Sequence, residues 1–307
     1  MSAAAASFPL VLRRRHIGLA FGATPSSRRG SGSDVAGSRP YRRGDAMRGI
    51  DWAASARLSA ARSEDAFIVR ERFADESPRV VVVADRRPGM ALCPSDLPWL
   101  DKASTMRNAG LLIAASTARS RGAIGSLDFG DGDVEPVWLS PKPSGQWRVE
   151  ERAATGAFAA PADSVERSLT YLGTLRSSLP VGSFVFVLSD FLADAGLATW
   201  LEAIGHRWDI VPVVIQDPVW EASFPEIGGV VVTFVDAASG AVRRVRMRRG
   251  EARRLRTEHE VRHDALVRGF IDLGLEPVVL TSSDPDTILA AFLSWADARL
   301  LDRRAGR

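Results

Sequence analysis

Four short apolar runs after residue 78 restrict the folds that this chain of 307 residues can adopt. The runs are rich in valine and show little alternation of apolar with polar side chains. A strand without alternation is typical of a parallel sheet that helices cover on both faces. The sequence therefore predicts four buried strands, in RVVVVAD (79–85), SFVFVLSDF (183–191), DIVPVVIQDP (209–218) and EPVVLTSS (276–283).

Segments with helical spacing of their apolar residues lie between these runs. Strands that alternate with helices predict a doubly wound α/β fold, with a mostly parallel sheet and helices on both faces. We assign this α/β domain to residues 78–307. Residues 1–77 form a smaller, β-rich lead-in with candidate strands at 16–22 and 65–73, and its Ser-, Gly- and Arg-rich part, 24–38, is predicted to be a loop.

An aspartate follows three of the buried runs: Asp85, Asp190 and Asp217. In open α/β sheets, ligands bind at the carboxyl ends of strands, near the point where the strand order reverses. A hydrolase with Asp85 and Asp190 as paired carboxylates would need a nucleophile–base pair or a phosphate loop, and the sequence has no such motif. HEVRH (259–263) formally matches a zinc-protease motif, but no third ligand accompanies it in its strongly charged helix. We therefore expect no enzyme activity, no metal and no cofactor.

Charge is distributed unevenly along the chain, whose formal net charge is +3. Nine arginines and two aspartates give residues 1–48 a charge of +7, and only Lys102 and Lys142 are lysines. A basic arm on a mildly acidic body attracts nucleic acid, acidic lipid or an acidic protein surface. Nucleic-acid binding through the basic arm of residues 13–48 and the arginines of 243–256 is the alternative function. It is not the expected one, because aromatic residues for base stacking are not interleaved with the arginines, and no helix-turn-helix or zinc-finger pattern appears.

The sequence favours a cytoplasmic location without a membrane span. The arginines near the N-terminus follow the apolar stretch and do not precede it, unlike those of a signal peptide. No apolar run reaches the roughly 18–20 residues that a transmembrane helix needs. Cys93 is the single cysteine, so no disulfide can form within the chain.

The segment GSRPYRRGDAMRGIDWAASARL (37–58) resembles the signature of a bacterial family called domain of unknown function 58. In that family, a lead-in carrying R-x-Y-x-x-G-D-x-x-R-x-I-D-W-x-x-x-A-R precedes a von Willebrand factor A-like domain. The strands VVVVAD and VFVLSDF look like the first and fourth strands of such a domain, and the resemblance extends over roughly residues 37–303. The matching signature residues are Arg39, Tyr41, Gly44, Asp45, Arg48, Ile50, Asp51, Trp52, Ala56 and Arg57.

The resemblance implies a function in protein interaction and not in catalysis. Genes of the family tend to accompany AAA+ ATPases of the MoxR type, so the family implies a scaffold or adaptor with such an ATPase as its partner. Members often carry N-terminal membrane helices. This sequence has none and resembles the short, soluble members.

Von Willebrand A-like domains often bind Mg²⁺ at a metal-ion-dependent adhesion site whose first loop is D-x-S-x-S. Here Asp85 matches, but Arg87 and Gly89 stand in place of the two serines, and Asp190 matches the distal aspartate. Thr155 and Ser164 are weak candidates for the threonine ligand. Buried carboxylates need a positive partner, so our hypothesis is that the guanidinium of Arg87 or Arg86 replaces the metal. The alternative is a degenerate loop whose arginines point to solvent, and neither arrangement would bind Mg²⁺.

The signature itself has two interpretations. As a structural element, Asp51 caps the helix WAASARL, Asp45 pairs with a nearby arginine and Trp52 anchors the helix against the α/β domain. As a functional element, the same residues form a surface on which a partner docks.

Overall fold

The structure, a computed structural model, describes residues 6–13, 24–42, 47, 50–62, 67–93, 99–132, 135–175, 179–193, 195–236, 239 and 241–305. The chain divides into two compact units, one of residues 14–78 and one of residues 1–13 with 79–307. The second unit contains the predicted α/β domain. Its N-terminal residues differ from the prediction, which places all of 1–77 in the lead-in: Phe8, Leu10 and Val11 are buried in the α/β core.

The smaller unit is β-rich, with one helix. Strand β1 (Thr24–Pro40) pairs with β2 (Ile68–Glu76) in an antiparallel ribbon interrupted by register shifts, and helix α1 (Trp52–Arg62) lies between them in the chain. The prediction of a loop over 24–38 is therefore wrong. Pairing with β2 makes this segment a strand, which its Ser-, Gly- and Arg-rich composition does not indicate. The strand predicted over 16–22 lies outside the described residues.

The α/β unit is built on a sheet of six strands: β3 (Arg79–Ala84), β4 (Ala123–Asp128), β5 (Val137–Lys142), β6 (Phe184–Ser189), β7 (Asp209–Ile215) and β10 (Val278–Leu280). Their order in the sheet is β10-β7-β6-β3-β4-β5. All neighbouring strands are parallel except β5, which is antiparallel to β4. The predicted mostly parallel sheet is confirmed.

Helices cover both faces of this sheet, as the valine-rich runs predict. One apolar cluster packs Val80 and Val82 against α2 (Lys102–Arg119), α3 (Gln146–Thr155) and α7 (Pro285–Ala305). A second cluster packs Val81 and Val83 of the same strand against α4 (Ser164–Thr174), α5 (Leu197–Gly205) and α6 (Arg249–Asp272). Strand β3 is therefore buried on both sides, because successive side chains of a strand point to opposite faces.

The remaining strands, β8 (Val231–Val235) and β9 (Val242–Arg246), form an antiparallel hairpin that is a sheet of its own. A short 3-10 helix, Pro88–Ala91, follows β3. None of the helices among the described residues combines the length and apolar character needed to cross a bilayer.

Candidate functional site: carboxylates held by two internal cations

The candidate site lies where the strand order of the sheet reverses. The chain runs outward from β3 through β4 to β5, and then returns to β6 on the other side of β3. Asp85 follows β3 and Asp190 follows β6, so the two carboxylates meet at the topological switch point, where α/β sheets bind ligands. Both are almost fully buried, with exposed fractions of 1% and 2%.

Arg87 lies between these two carboxylates. Its Nη2 donates to Asp85 Oδ2 and to Asp190 Oδ1, each at 2.6 Å, and its Nε lies 3.0 Å from both Asp85 oxygens. Burial alone would lower the pKa of Arg87, but the hydrogen bonds and charges of Asp85 and Asp190 outweigh burial and raise it. Of the two hypotheses for this loop, the bridging guanidinium is the arrangement that the structure has.

Lys102 is a second cation in the site, and it was not among the predicted site residues. It is the first residue of α2, and its Nζ donates to Asp190 Oδ2 at 2.8 Å and to Glu221 Oε1 at 2.6 Å. The side chain is only 2% exposed. A signal was available in the sequence, because Lys102 is one of only two lysines in a chain that otherwise uses arginine.

The pKa shifts follow from burial and from these ion pairs. Burial raises the pKa of Asp190, but the charges of Lys102 and Arg87 outweigh burial and hold that pKa below its ordinary value. Burial lowers the pKa of Lys102, but the charges of Asp190 and Glu221 outweigh burial and raise that pKa above its ordinary value. Burial raises the pKa of Glu221, and Lys102 offsets this only in part. Glu221 thus takes up a proton more readily than Asp190.

Two hydroxyl groups complete the surroundings of Asp85. Ser189 donates to Asp85 Oδ2 at 2.6 Å, and Ser164, at the start of α4, donates to Asp85 Oδ1 at 3.2 Å. Ser164 was one of two candidates for the threonine position of an adhesion site, and the structure places its hydroxyl beside Asp85. The other, Thr155, is exposed at the end of α3, where its hydroxyl donates to the carbonyl of Glu151. Gly89 adds no side chain to the site.

Arg86 turns away from this cluster and forms a second one. Its guanidinium donates to the carbonyls of Gly156 at 2.7 Å and Arg152 at 2.6 Å, and its Nε lies 3.4 Å from Asp128. Burial lowers the pKa of Arg86 despite the nearby Asp128. A Cβ on Gly156 would lie 2.4 Å from Cζ of Arg86, so glycine is needed for this packing. Arg86 therefore holds α3 against the sheet and has no contact with Asp190.

The third acid that follows a strand, Asp217, binds backbone N–H groups with its carboxylate. It accepts hydrogen bonds from the N–H groups of Leu100, Val219 and Trp220. The neighbouring Gln216 donates to the carbonyl of Asp190 at 2.6 Å and contacts His263 Nδ1 at 2.7 Å. These contacts fix the loop after β7 and the middle of α6 to the site.

The residues at the switch point do not fit a magnesium ion. Neither Arg87 nor Gly89 offers a hydroxyl ligand, and cationic nitrogens lie 2.6–2.8 Å from the carboxylate oxygens that a metal would need as ligands. The HEVRH histidines are engaged elsewhere: His259 Nδ1 contacts the carbonyl of Ser223 and His263 contacts Gln216. Within the described ranges, no three His, Cys, Asp or Glu residues are grouped to hold a metal.

An open apolar groove of about 570 Å³ borders the site. It begins at Phe191 and Leu192, directly after Asp190, and continues between α5 and α6 over Trp200 and Phe270. Leu192 and Leu197 line it and are 41% and 62% exposed. The site therefore combines a nearly neutral polar cluster with an apolar surface beside it.

Three of the signature residues, Gly44, Asp45 and Arg48, lie outside the described residues. Asp51 caps α1 as predicted, since its Oδ1 accepts from the N–H of Ala54 at 3.1 Å. Trp52 differs from its predicted role as a buried anchor: it is 58% exposed, and its ring meets the ring of Phe67 edge-on.

The other described signature residues have local contacts within the smaller unit. The N–H of Tyr41 donates to the carbonyl of Phe67 at 2.8 Å, and Ile50 forms a β-bridge with Val69. The side chains of Arg39 and Arg57 each donate to a backbone carbonyl close in sequence, at 3.0 Å and 3.2 Å. The contacts of these residues therefore tie the start of α1 to the ends of β1 and β2.

Comparison with known protein families identifies a family to which the sequence of the chain is similar. The family model described as "Protein of unknown function DUF58" matches residues 37–265, which include the signature and the switch-point residues. No curated protein matches the chain.

Several solved structures resemble the chain at low sequence identity. The conserved hypothetical protein BatB from Bacteroides thetaiotaomicron is 11% identical with a TM-score of 0.42, over 72% of this chain and 99% of that one. An aerotolerance-related membrane protein from Bacteroides fragilis is 12% identical with a TM-score of 0.40, over 72% and 99%. The pilus adhesin SpaC from Lactobacillus rhamnosus GG is 12% identical with a TM-score of 0.42, over 73% and 31%.

Proposed function

The chain belongs to the family described as protein of unknown function DUF58, and from this premise we propose that it is a non-enzymatic scaffold or adaptor. Its proposed partner is an AAA+ ATPase of the MoxR type, and its proposed location is the cytoplasm. In this proposal, the α/β unit is a von Willebrand A-like domain whose adhesion site has become degenerate.

One observation carries the proposal: Arg87 and Lys102 form ion pairs with the carboxylates at the switch point. Arg87 bridges Asp85 and Asp190, and Lys102 bridges Asp190 and Glu221. Asp190 is a poor base, because its pairs with Lys102 and Arg87 outweigh burial and hold its pKa below the ordinary value. A switch point whose aspartates are held in ion pairs supports binding better than acid–base catalysis.

The surface beside the cluster is suited to a protein partner. Leu192 and Leu197 are exposed on the rim of the groove, over the aromatic floor of Trp200 and Phe270. At protein interfaces, a few side chains that fill well-packed, desolvated pockets carry most of the binding energy. We therefore place ATPase docking at this groove, with the paired carboxylates as the rigid frame that holds the Asp190 loop.

The test is a capture experiment with the purified, tagged chain in native lysate, with ATP and with ADP, read by mass spectrometry. We expect enrichment of an AAA+ ATPase of the MoxR type that depends on the nucleotide. Leu192→Glu should abolish this capture. Leu301→Glu is the matched control, because Leu301 is 63% exposed near the far end of α7 and should leave capture unchanged.

The proposal fails if no such ATPase is recovered under either nucleotide, or if Leu192→Glu and Leu301→Glu capture it equally well. Recovery of nucleic acid in place of an ATPase would favour the alternative function through the basic arm.

A further inference from the structure

The β8–β9 hairpin is a separate surface that neither the switch point nor the groove uses. Across the two strands, Val231 lies opposite Arg246, Thr233 opposite Arg244 and Val235 opposite Val242. Directly opposed residues of an antiparallel pair have their side chains on the same face. This face carries two arginines and three valines, and the valines at 231, 235 and 242 are 62%, 44% and 62% exposed.

The hairpin and the start of α6 are strongly basic. Residues 242–256 contain eight arginines and a single acid, Glu251. Six of the eight are exposed, and their side chains form no ion pair with an acid among the residues that the structure describes: Arg243, Arg244, Arg246, Arg248, Arg249 and Arg253. Only the backbone N–H of Arg248 donates to an acid, Glu251. The other two are paired, Arg254 with Glu258 and Arg256 with Glu226.

The outer edge of β9 is open for hydrogen bonding. The N–H of Met247 donates to Val230 and that of Asp236 donates to Ala241, and these two bonds fix the alternation along the ladder. Because hydrogen-bonded and non-hydrogen-bonded pairs alternate, the backbone groups of Val242, Arg244 and Arg246 point away from β8. No other described strand pairs with this edge.

We propose that the open edge of β9 binds an extended acidic segment of a partner protein, which adds to the hairpin as a third strand. Peptide recognition by strand addition takes its affinity from main-chain hydrogen bonds and its specificity from alternate side chains. An incoming strand with acidic residues at every second position would place carboxylates beside Arg244 and Arg246. Arginine is suited to bidentate pairing with them.

The combination of features on this edge favours a polypeptide over other anions. Arg244 and Arg246 direct their backbone N–H and C=O groups outward as well as presenting exposed side chains. Only another polypeptide backbone pairs with both the N–H and the C=O groups in register. The side chains between the acidic residues of that strand would point to the opposite face, where Val245 lies. Duplex DNA and a lipid surface offer charge to the arginines but no such backbone. This surface acts independently of the ATPase, and in an adaptor it would be the second binding face.

The probe is a peptide of about six residues that alternates glutamate with valine, a length typical of a strand, titrated into the full chain. We expect saturable binding, while the same peptide with lysine in place of glutamate should not bind. A glutamate–valine peptide with a fully N-methylated backbone has the same charge but no N–H donors, and it should also fail to bind. Equal binding of the N-methylated peptide would overturn the proposal, since charge alone would then suffice.

The variant Arg244→Gln/Arg246→Gln should weaken binding of the glutamate–valine peptide roughly ten-fold, the size expected for two cross-strand ion pairs. Arg268→Gln is the matched control, because Arg268 is exposed on α6 away from the hairpin. Arg243→Gln, on the other face, should have a smaller effect than the double variant.

Three further results would overturn the proposal: no binding of the glutamate–valine peptide, tighter binding of duplex DNA or of anionic phosphatidylserine vesicles than of the peptide, or equal losses in the double variant and in Arg268→Gln. Peptide binding needs no ATPase, so this experiment can fail or succeed whatever the capture experiment shows.

Discussion

Replacing Lys102 with methionine tests whether the internal cations hold the switch point together. Methionine keeps much of the volume of the side chain but removes its charge, and leaves Asp190 and Glu221 without the ammonium group that both now contact, at 2.8 Å and 2.6 Å. Removing one partner of a buried pair costs about 3–5 kcal/mol, because the other charge stays buried and uncompensated. The Lys102 side chain is only 2% exposed, so little solvent screening reduces this cost.

The magnitude lies toward the lower end of that range, at about 3 kcal/mol, for two reasons. Arg87 still pairs with Asp190 in the variant. Glu221, whose pKa burial already raises, can take up a proton when the ammonium group is lost. Because native domains are stable by about 5–15 kcal/mol, the variant should still fold. Urea unfolding followed by circular dichroism measures the difference.

The chain provides its own control. Lys142→Met makes the same substitution at the only other lysine, which is exposed at the end of β5, and should change stability by less than about 0.5 kcal/mol. Adding Glu221→Gln to Lys102→Met removes one of the stranded carboxylates, so the double variant should be less destabilised than the sum of the two single variants. If Lys102→Met cost no more than Lys142→Met, the claim that Lys102 holds the carboxylates would be refuted.

Three further predictions concern pH, packing and capping. The cost of Lys102→Met should shrink as the pH falls toward the raised pKa of Glu221, because the folded variant then binds a proton that relieves the uncompensated charge; urea unfolding at several pH values would show this, and a cost that grows on acidification would contradict it. Gly156→Ala should destabilise the protein by about 1–3 kcal/mol in thermal or chemical unfolding, because its Cβ would displace the buried guanidinium of Arg86, and a neutral result would contradict that packing. Asp51→Ala should cost about 1 kcal/mol through loss of the α1 cap while Asp51→Ser costs less, and equal losses would count against capping.

The main features of the fold and of the site follow from particular residues in the sequence. Asp85 and Asp190 could be placed together because each ends a buried strand, and parallel strands end at the same edge of the sheet. Arg87 could be proposed as their partner because an arginine stands where the family motif has a hydroxyl. Both inferences need only the residues that directly follow a buried strand in the sequence.

The rest depends on contacts between distant parts of the chain. Lys102, on a helix, lies 88 residues from Asp190 in the chain, and Glu221, in a loop, lies 119 residues from Lys102. Their side chains nevertheless meet at the site. No local pattern shows which loops come together. The pairing of β1 with β2 and the burial of Phe8 beside Phe292 were missed for the same reason, because each depends on a partner distant in sequence.

The most direct test of the central claim, that cations of the chain itself replace a metal at the switch point, is the melting temperature in millimolar Mg²⁺ compared with EDTA. Mg²⁺ at 100 times its Kd would add about 2.7 kcal/mol, which is several degrees at roughly 2–4 °C per kcal/mol. The wild type should melt at the same temperature in both. Arg87→Ser/Gly89→Ser restores both hydroxyls where a Cβ at position 89 meets no neighbour, and this variant should gain a rise in Mg²⁺. A rise of several degrees in the wild type would contradict the account.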